Sequence, residues 1–464
     1  MKLLRLALRN LRRNGRRTLS TQLALTIGTA ALLLFGGFVS DIASGLETAY
    51  VQRSGHLQLH REGYLALGSG NPTAFSIADS ERLIVTLKND ALLKPMLRVV
   101  TPVLDTGGIA GNFLRQTSTQ VMINGVIPDE QNRLQQWNDY HYPITIPPYP
   151  LAGSGENSAL IGTGVARILG LCHTLKLDDC PSRAAVAAEN DAAAPLDDDI
   201  AALAGQQTQN LTQQTDRQVD VLTTRLTGAP DIARLTVIDA LNQGLQPLDN
   251  VYLAMHLATA QRLVFGAGDR RVTGIIIQLE HTDQIAAARA RIEAVMATSY
   301  RDQPLELHDV FELNPMHGQI MHMFDTFFGL ASLLVGIVAM FMIGNTMSMA
   351  VMERTTEIGT LRAMGVQRGG VIGLFITESL LMVLLGCGAG IALALTGDAA
   401  LRLFSLRWIP PGMTYSVPLL ANVASHPALI VQVSLGATCL AILAVGFAAR
   451  RAASLNIIDA LRHV

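Results

Sequence analysis

Between Met316 and Asp325 the chain gathers Met316, His317, Met321, His322, Met323 and Asp325, a ligand set whose thioethers would suit Cu(I). Spacing argues against one site: His317 and His322 lie five apart, whereas a helix brings residues three or four apart onto one face. No metal is therefore expected. Met321, Phe324, Phe327 and Phe328, with Phe35 and Phe38 from an earlier apolar stretch, could line an apolar vestibule for hydrophobic cargo, because Met and Phe adapt to irregular partners. Plain helix packing is the alternative, and both stay open. Glu378 interrupts an apolar run, where a carboxylate is costly; so near the start of that run, it is assigned a structural bond to a neighbouring helix. Cys172 and Cys180 could close a disulfide in an oxidising compartment, while Cys387 and Cys439 lie in apolar runs and read as small packing residues. Asn210-Leu-Thr212 fits the glycosylation pattern and is read as chance. The chain has no G-x-x-x-x-G-K-[ST] phosphate loop, no nucleophile with a base, no catalytic carboxylate pair and no nucleic-acid-binding stripe. It is expected to be no enzyme, with no cofactor of its own.

Composition says what must position these residues. With 49% of its residues hydrophobic and 16% charged, the chain is too apolar for an ordinary soluble protein, in which about a quarter are charged. Four segments, 18–43, 319–352, 369–397 and 428–449, pass the requirement of about 20 mostly apolar residues for crossing a bilayer. The first is too long for a signal-peptide core and has no convincing cleavage site, so it is expected to be retained. Lys2, Arg5, Arg9, Arg12, Arg13, Arg16 and Arg17 precede any acid, and basic residues recur at 353–368 and 450–464. Lys and Arg are held on the cytoplasmic side, so both termini are expected there and residues 44–318 on the opposite face. Arg402 and Arg407, in the outer loop 398–427, speak mildly against that orientation.

Arg5, Arg9, Arg12 and Arg16 recur at helical spacing beside Leu4, Leu8 and Leu11, so 1–17 reads as an amphipathic helix on the inner surface or as a charged topology anchor. The 44–318 domain mixes both periodicities and is expected to be α+β, with two subdomains and a flexible insertion at about 184–217. Its clearest unit is Gly274-Ile-Ile-Ile-Gln-Leu279, an Ala-rich helix, then Leu305–Val310. Residues 319–352 would form a helix of roughly 50 Å, longer than the bilayer's hydrocarbon, projecting outward as a stalk unless it breaks near Gly329.

The most informative stretch is Val351-Met-Glu-Arg-Thr-Thr-Glu-Ile-Gly-Thr-Leu-Arg-Ala-Met-Gly365. A short helix here would keep Ile358, Leu361 and Met364 out of water and expose Glu353, Arg354, Glu357 and Arg362, with Gly365 as a left-handed cap. Pattern alone leaves it resting on lipid or inserting into a partner. The motif E-R-x-x-E-I-G-x-L-R-A-x-G before a Gly-rich apolar span resembles the signature of the MacB/FtsX/LolC–LolE family of ABC transporter permeases. The closing Ala449-Arg-Arg-Ala-Ala-Ser-Leu-Asn-Ile-Ile-Asp-Ala-Leu-Arg462 is similar to that family's tail, with Ala448 and Ile457 in place of usual prolines. Gly55-His-Leu-Gln-Leu-His-Arg-Glu-Gly-Tyr64 resembles the lipid-handling members.

The resemblance implies an inner-membrane permease with four spans and a periplasmic α+β domain. A coupling helix formed by Glu353, Arg354, Glu357, Ile358, Leu361, Arg362 and Gly365 would dock on a separate ABC ATPase dimer, which binds ATP and Mg. It further implies a second permease copy or a paralogue, membrane lipid, and a periplasmic adaptor or lipoprotein carrier. Export or membrane extraction of a lipoprotein, lipid or drug-like substrate by mechanotransmission is the expected function. The alternative is FtsX-like signalling to a cell-wall hydrolase; the size of 44–318, beyond a usual single domain of about 100–150 residues, favours transport.

Overall fold

The computed structural model describes residues 15–68, 70–142, 146–177, 217–301, 303–409 and 416–453. Most of the basic N-terminal arm, Cys180, the 184–217 insertion apart from Arg217, and the tail beyond Ala453 lie outside the described residues. The described residues divide into two compact units, one holding most of the long helices and the other built from Gly45–Pro315.

Among the described residues, four helices are long and apolar enough to cross a membrane: α1 (Gly15–Ser54), α7 (Pro315–Glu353), α9 (Arg368–Phe404) and α10 (Pro427–Ala453). A short helix, α8 (Thr355–Ala363), lies between α7 and α9. At 1.5 Å per residue the 39 residues of α7 reach roughly 58 Å, and the helix is unbroken at Gly329. Thr21 and Thr346 share a 2.6 Å hydrogen bond between α1 and α7, and Thr29 meets the Cys387 sulfur of α9 at 3.7 Å.

The Gly45–Pro315 unit is organised around one long strand. Its strands are β1 (Leu57–Arg61), β2 (Leu97–Asn112), β3 (Thr117–Val126), β4 (Ser158–Gly162), β5 (Gln218–Thr224), β6 (Pro230–Leu241), β7 (Tyr252–His256), β8 (Gly274–Leu279) and β9 (Leu305–Asp309). Its main helices are α2 (Ser80–Asn89), α3 (Pro128–Gln135), α4 (Thr163–Ile168), α5 (Leu257–Phe265) and α6 (Ile285–Ser299). The first half of β2 pairs with β8 and gives a sheet ordered β9-β1-β8-β2, every neighbour antiparallel. With α2 joining β1 to β2 and α6 joining β8 to β9, this is the split β-α-β arrangement, doubled. β8 is buried at every position, which is why it reads as a continuous β-branched run and not as an alternation.

From Leu104 onward β2 leaves β8 and pairs with β3, while Ile109–Gly111 also pairs with β5. The circuit β2-β3-β7-β4-β6-β5 returns to β2 and closes a barrel. Pairing is parallel at β3–β7 and β4–β6 and antiparallel elsewhere. The barrel is thus inserted between the second and third strands of the doubled β-α-β unit.

α1 passes into β1 through Gly55, at φ +67°, where an added Cβ would lie 2.8 Å from the Ile277 carbonyl oxygen and 2.6 Å from an Ile276 methyl. Gly55→Ala should therefore destabilise the unit by about 2–3 kcal/mol, combining the positive-φ penalty with overpacking. The urea midpoint of Trp137 fluorescence in a Trp408→Phe background measures this, these being the chain's two tryptophans. An unshifted midpoint would contradict it.

Candidate functional site

The E-R-x-x-E-I-G segment sits where α7 ends. Arg354 has φ −113° and ψ 20°, outside the helical region, and separates α7 from α8. α8 stops in a Schellman motif: Gly365, at φ +93°, bonds through its N–H to the Arg362 carbonyl (3.1 Å), and the Val366 N–H reaches the Leu361 carbonyl (3.1 Å). Two sides of α8 differ. Ile358 and Gly359 are buried, Ile358 in one cluster with Val351, Val371, Phe375 and Met382, whereas Glu353, Glu357 and Thr360 are exposed. Leu361 and Arg362 are half-buried.

Two expectations for this segment are corrected. Arg354, expected in water, is buried, and its Nη1 donates to Glu378 Oε2 at 3.2 Å. Both side chains are 5% exposed, and the carboxylate compensates the buried guanidinium. Met364, expected to be shielded, is 72% exposed, because the Schellman turn carries the chain away after Ala363. Arg354 was missed as a buried residue because its partner lies far along the sequence, in the next span; the isolated acid at Glu378 was the available signal.

The aromatic and thioether residues proposed as a vestibule are not gathered into one wall. Phe35 stacks on Phe328 at 6.1 Å, whereas Phe38 turns to Trp408 at 5.8 Å, and Phe327 is exposed. Met321 and Phe324 are half-buried, while Met316, His322, Met323 and Asp325 are exposed and His317 is buried. A cavity of about 240 Å³ lies between α1, α7 and α10, lined by Gly28, Leu32, Phe328, Val335, Gly336 and Leu429 among others; of the vestibule residues only Phe328 reaches it. Cys172 is buried and Cys180 lies outside the described residues.

A polar clasp at the other end of α9 escaped the sequence reading. The buried Asp398 accepts hydrogen bonds from the backbone N–H groups of Ala421 (3.3 Å) and Asn422 (3.0 Å) and from Arg402 Nη2 (3.2 Å). Arg402 also donates to the Asn422 side chain, whose amide donates to the buried Asp41 of α1. The clasp joins α1, α9 and the approach to α10, and an acid closing an apolar run with an arginine four residues on was its signal.

Four long apolar helices with a folded α+β domain between the first two define a multi-pass membrane protein with one large domain outside the bilayer. Residues 329–457 match the family described as FtsX-like permease C-terminal. The macrolide export ATP-binding/permease protein MacB of Chromobacterium violaceum is 36% identical over 120 residues, 25% of this chain and 16% of that protein. MacB of Sodalis glossinidius is 32% identical over 136 residues, 28% of this chain and 20% of that protein. An uncharacterized ABC transporter permease of Methanocaldococcus jannaschii is 25% identical over 232 residues, 49% of this chain and 55% of its own. The matches thus span a fifth or less of the two MacB proteins and about half of the archaeal permease. The crystal structure of the periplasmic region of MacB from Actinobacillus actinomycetemcomitans overlays with a TM-score of 0.32 at 9% identity, covering 57% of this chain and 94% of that one. Residues 329–457, which hold most of the last three long helices, are thus similar to the C-terminal domain of FtsX-like permeases.

Proposed function

We propose that the chain is the permease subunit of an ABC transporter of the inner membrane, driven by a separate ATPase pair that docks on α8. The observation that carries this reading is the construction of α8: a short, capped helix between two spans, held at its base and presenting Glu357 and Met364 to water. Both termini and α8 are cytoplasmic, and the Gly45–Pro315 unit is periplasmic. ATP and Mg are held by the ATPase, and a second copy or a paralogue completes the permease. The cargo is amphiphilic or hydrophobic, a lipoprotein, a lipid or a drug-like molecule such as the macrolides named for the MacB relatives, and it is exported or extracted from the membrane by mechanotransmission.

A photo-crosslinking residue at Met364 should capture an ABC ATPase in native membranes. Glu357→Arg should lower the permease-stimulated turnover of that ATPase by about tenfold, as expected for a contact at the centre of a docking helix. Crosslinking to lipid alone, with turnover indifferent to Glu357→Arg, would refute the docking assignment.

A further inference from the structure

α8 is tied to its neighbours in two unequal ways. Towards α7 the helical ladder is interrupted at Arg354, whose N–H bonds the Val351 carbonyl three residues back (3.2 Å). Such a junction can change its angle by adjusting one residue's backbone. Towards α9 the attachment has two points. The end of α8 is joined to the start of α9 by the short Met364–Gln367 turn. The beginning of α8 is joined through Arg354 to Glu378, about ten residues or roughly 15 Å into α9. The nine residues of α8 measure about 14 Å, nearly the same distance. Matching lengths let α8 run back beside the first turns of α9, and Ile358 shares one buried cluster with Val371 and Phe375.

Resting on the docking role of α8, we propose that the Arg354–Glu378 ion pair is a staple: it makes α8 and α9 a single moving body and directs a push received by α8 into the third span, with the α7–α8 junction as the hinge. Arg354 and Glu378 are on this reading positioning residues that touch neither ATPase nor cargo. Neutralising Glu378 leaves the buried Arg354 uncompensated, and removing Arg354 takes away the tie between the base of α8 and α9, a loss large enough to free that base while the turn at its far end persists. The Nε of Arg354 has no acceptor among the described residues, and its Nη1 makes the contact to Glu378.

The test uses the full chain in lipid nanodiscs and hydrogen exchange of the amides in 355–366. Arg354→Gln and Glu378→Gln should each raise exchange there by about tenfold or more. The double variant Arg354→Glu with Glu378→Arg should restore protection, and Arg354→Lys should restore it in part. Unchanged exchange in both single variants would overturn the staple, whether or not α8 docks an ATPase. Co-reconstitution with the ATPase captured at Met364 supplies the second readout. Single variants that bind the ATPase normally but lose its stimulation, with recovery in the swapped pair, support the proposal. Loosened exchange with stimulation intact would reduce the pair to a fold contact and overturn it. Failure of the docking reading has a different signature: no ATPase captured, and no effect of Glu357→Arg, with the exchange results unaltered.

Discussion

Lowering the pH from 7.5 to 4.5 should destabilise the Gly45–Pro315 unit by roughly 3 kcal/mol, seen as a falling urea midpoint of Trp137 fluorescence in the Trp408→Phe background. His56 is fully buried: its Nδ1 accepts the Leu279 N–H (3.0 Å), and its ring meets the Trp137 edge at 4.9 Å. Burial pushes its pKa down to about 4, against the opposing pull of Asp139. His60 is held under the Tyr64 ring at 4.2 Å with its Nδ1 on the Thr273 carbonyl. Burial lowers its pKa to about 4 as well, the carbonyl opposing and His308 adding to the shift.

Both groups titrate near 6.5 when unfolded. Between about pH 6.5 and 4 the unfolded chain therefore binds protons that the folded unit refuses, and stability falls with pH, by about 2.5 kcal/mol for each histidine at pH 4.5. Asp105 works in the opposite sense. Burial raises its pKa from 3.8 to about 6, only partly offset by Asn124, so the folded unit gains its proton first and recovers about 2 kcal/mol by pH 4.5. Two losses against one gain leave the net figure. Asp105→Asn removes the gain and should steepen the fall to about 5 kcal/mol. A midpoint level across this range in both proteins would contradict the argument.

Asp249→Ala should cost the barrel about 3–5 kcal/mol, enough to unfold it under mild denaturant. Asp249, 1% exposed, accepts from Thr163 N–H (3.0 Å) and Gln243 N–H (3.1 Å) on one oxygen. The other oxygen accepts from Gly164 N–H (3.0 Å) and the Thr163 hydroxyl. It thus caps the first turn of α4 from the β6–β7 connection. Three backbone donors would be orphaned, each costing about 1–3 kcal/mol when buried, less what an entering water recovers. Asp249→Asn should rescue little, because its amide nitrogen would face a donor. Hydrogen exchange at β4 and α4 measures the loss, and native-like protection in Asp249→Ala would rule it out.

The parts of the fold legible in the sequence are those whose partners are near or whose pattern is strong. β8, α6 and β9 announce themselves through Gly274-Ile-Ile-Ile-Gln-Leu279 and the Ala-rich run after it. The Gly365 stop could be read because its left-handed backbone is a local requirement. Barrel closure could not, since β2 changes partners near Val103 and nothing in its own residues says which strands arrive on either side. β5 and β6 were overlooked: their outward positions carry Asp220 and Arg234, paired with each other at 2.8 Å, and they adjoin an Ala- and Gln-rich insertion that masks the alternation. At the candidate site, the pattern named the residues of α8 but mistook the sides of Arg354 and Met364, because an arginine on an amphipathic helix reads as solvated until its acid is found.

One register carries a consequence for how such proteins diversify. Val103 of β2 stands directly opposite Gly274 of β8, so the barrel leaves and rejoins the sheet through adjacent backbones. Cα atoms paired across an antiparallel ladder are about 5 Å apart, a gap that a hairpin turn of two residues can bridge. Everything between these positions could then be exchanged or excised in a single genetic event without altering the sheet order. Descendants of this chain could acquire new barrels while inheriting the same four-stranded frame.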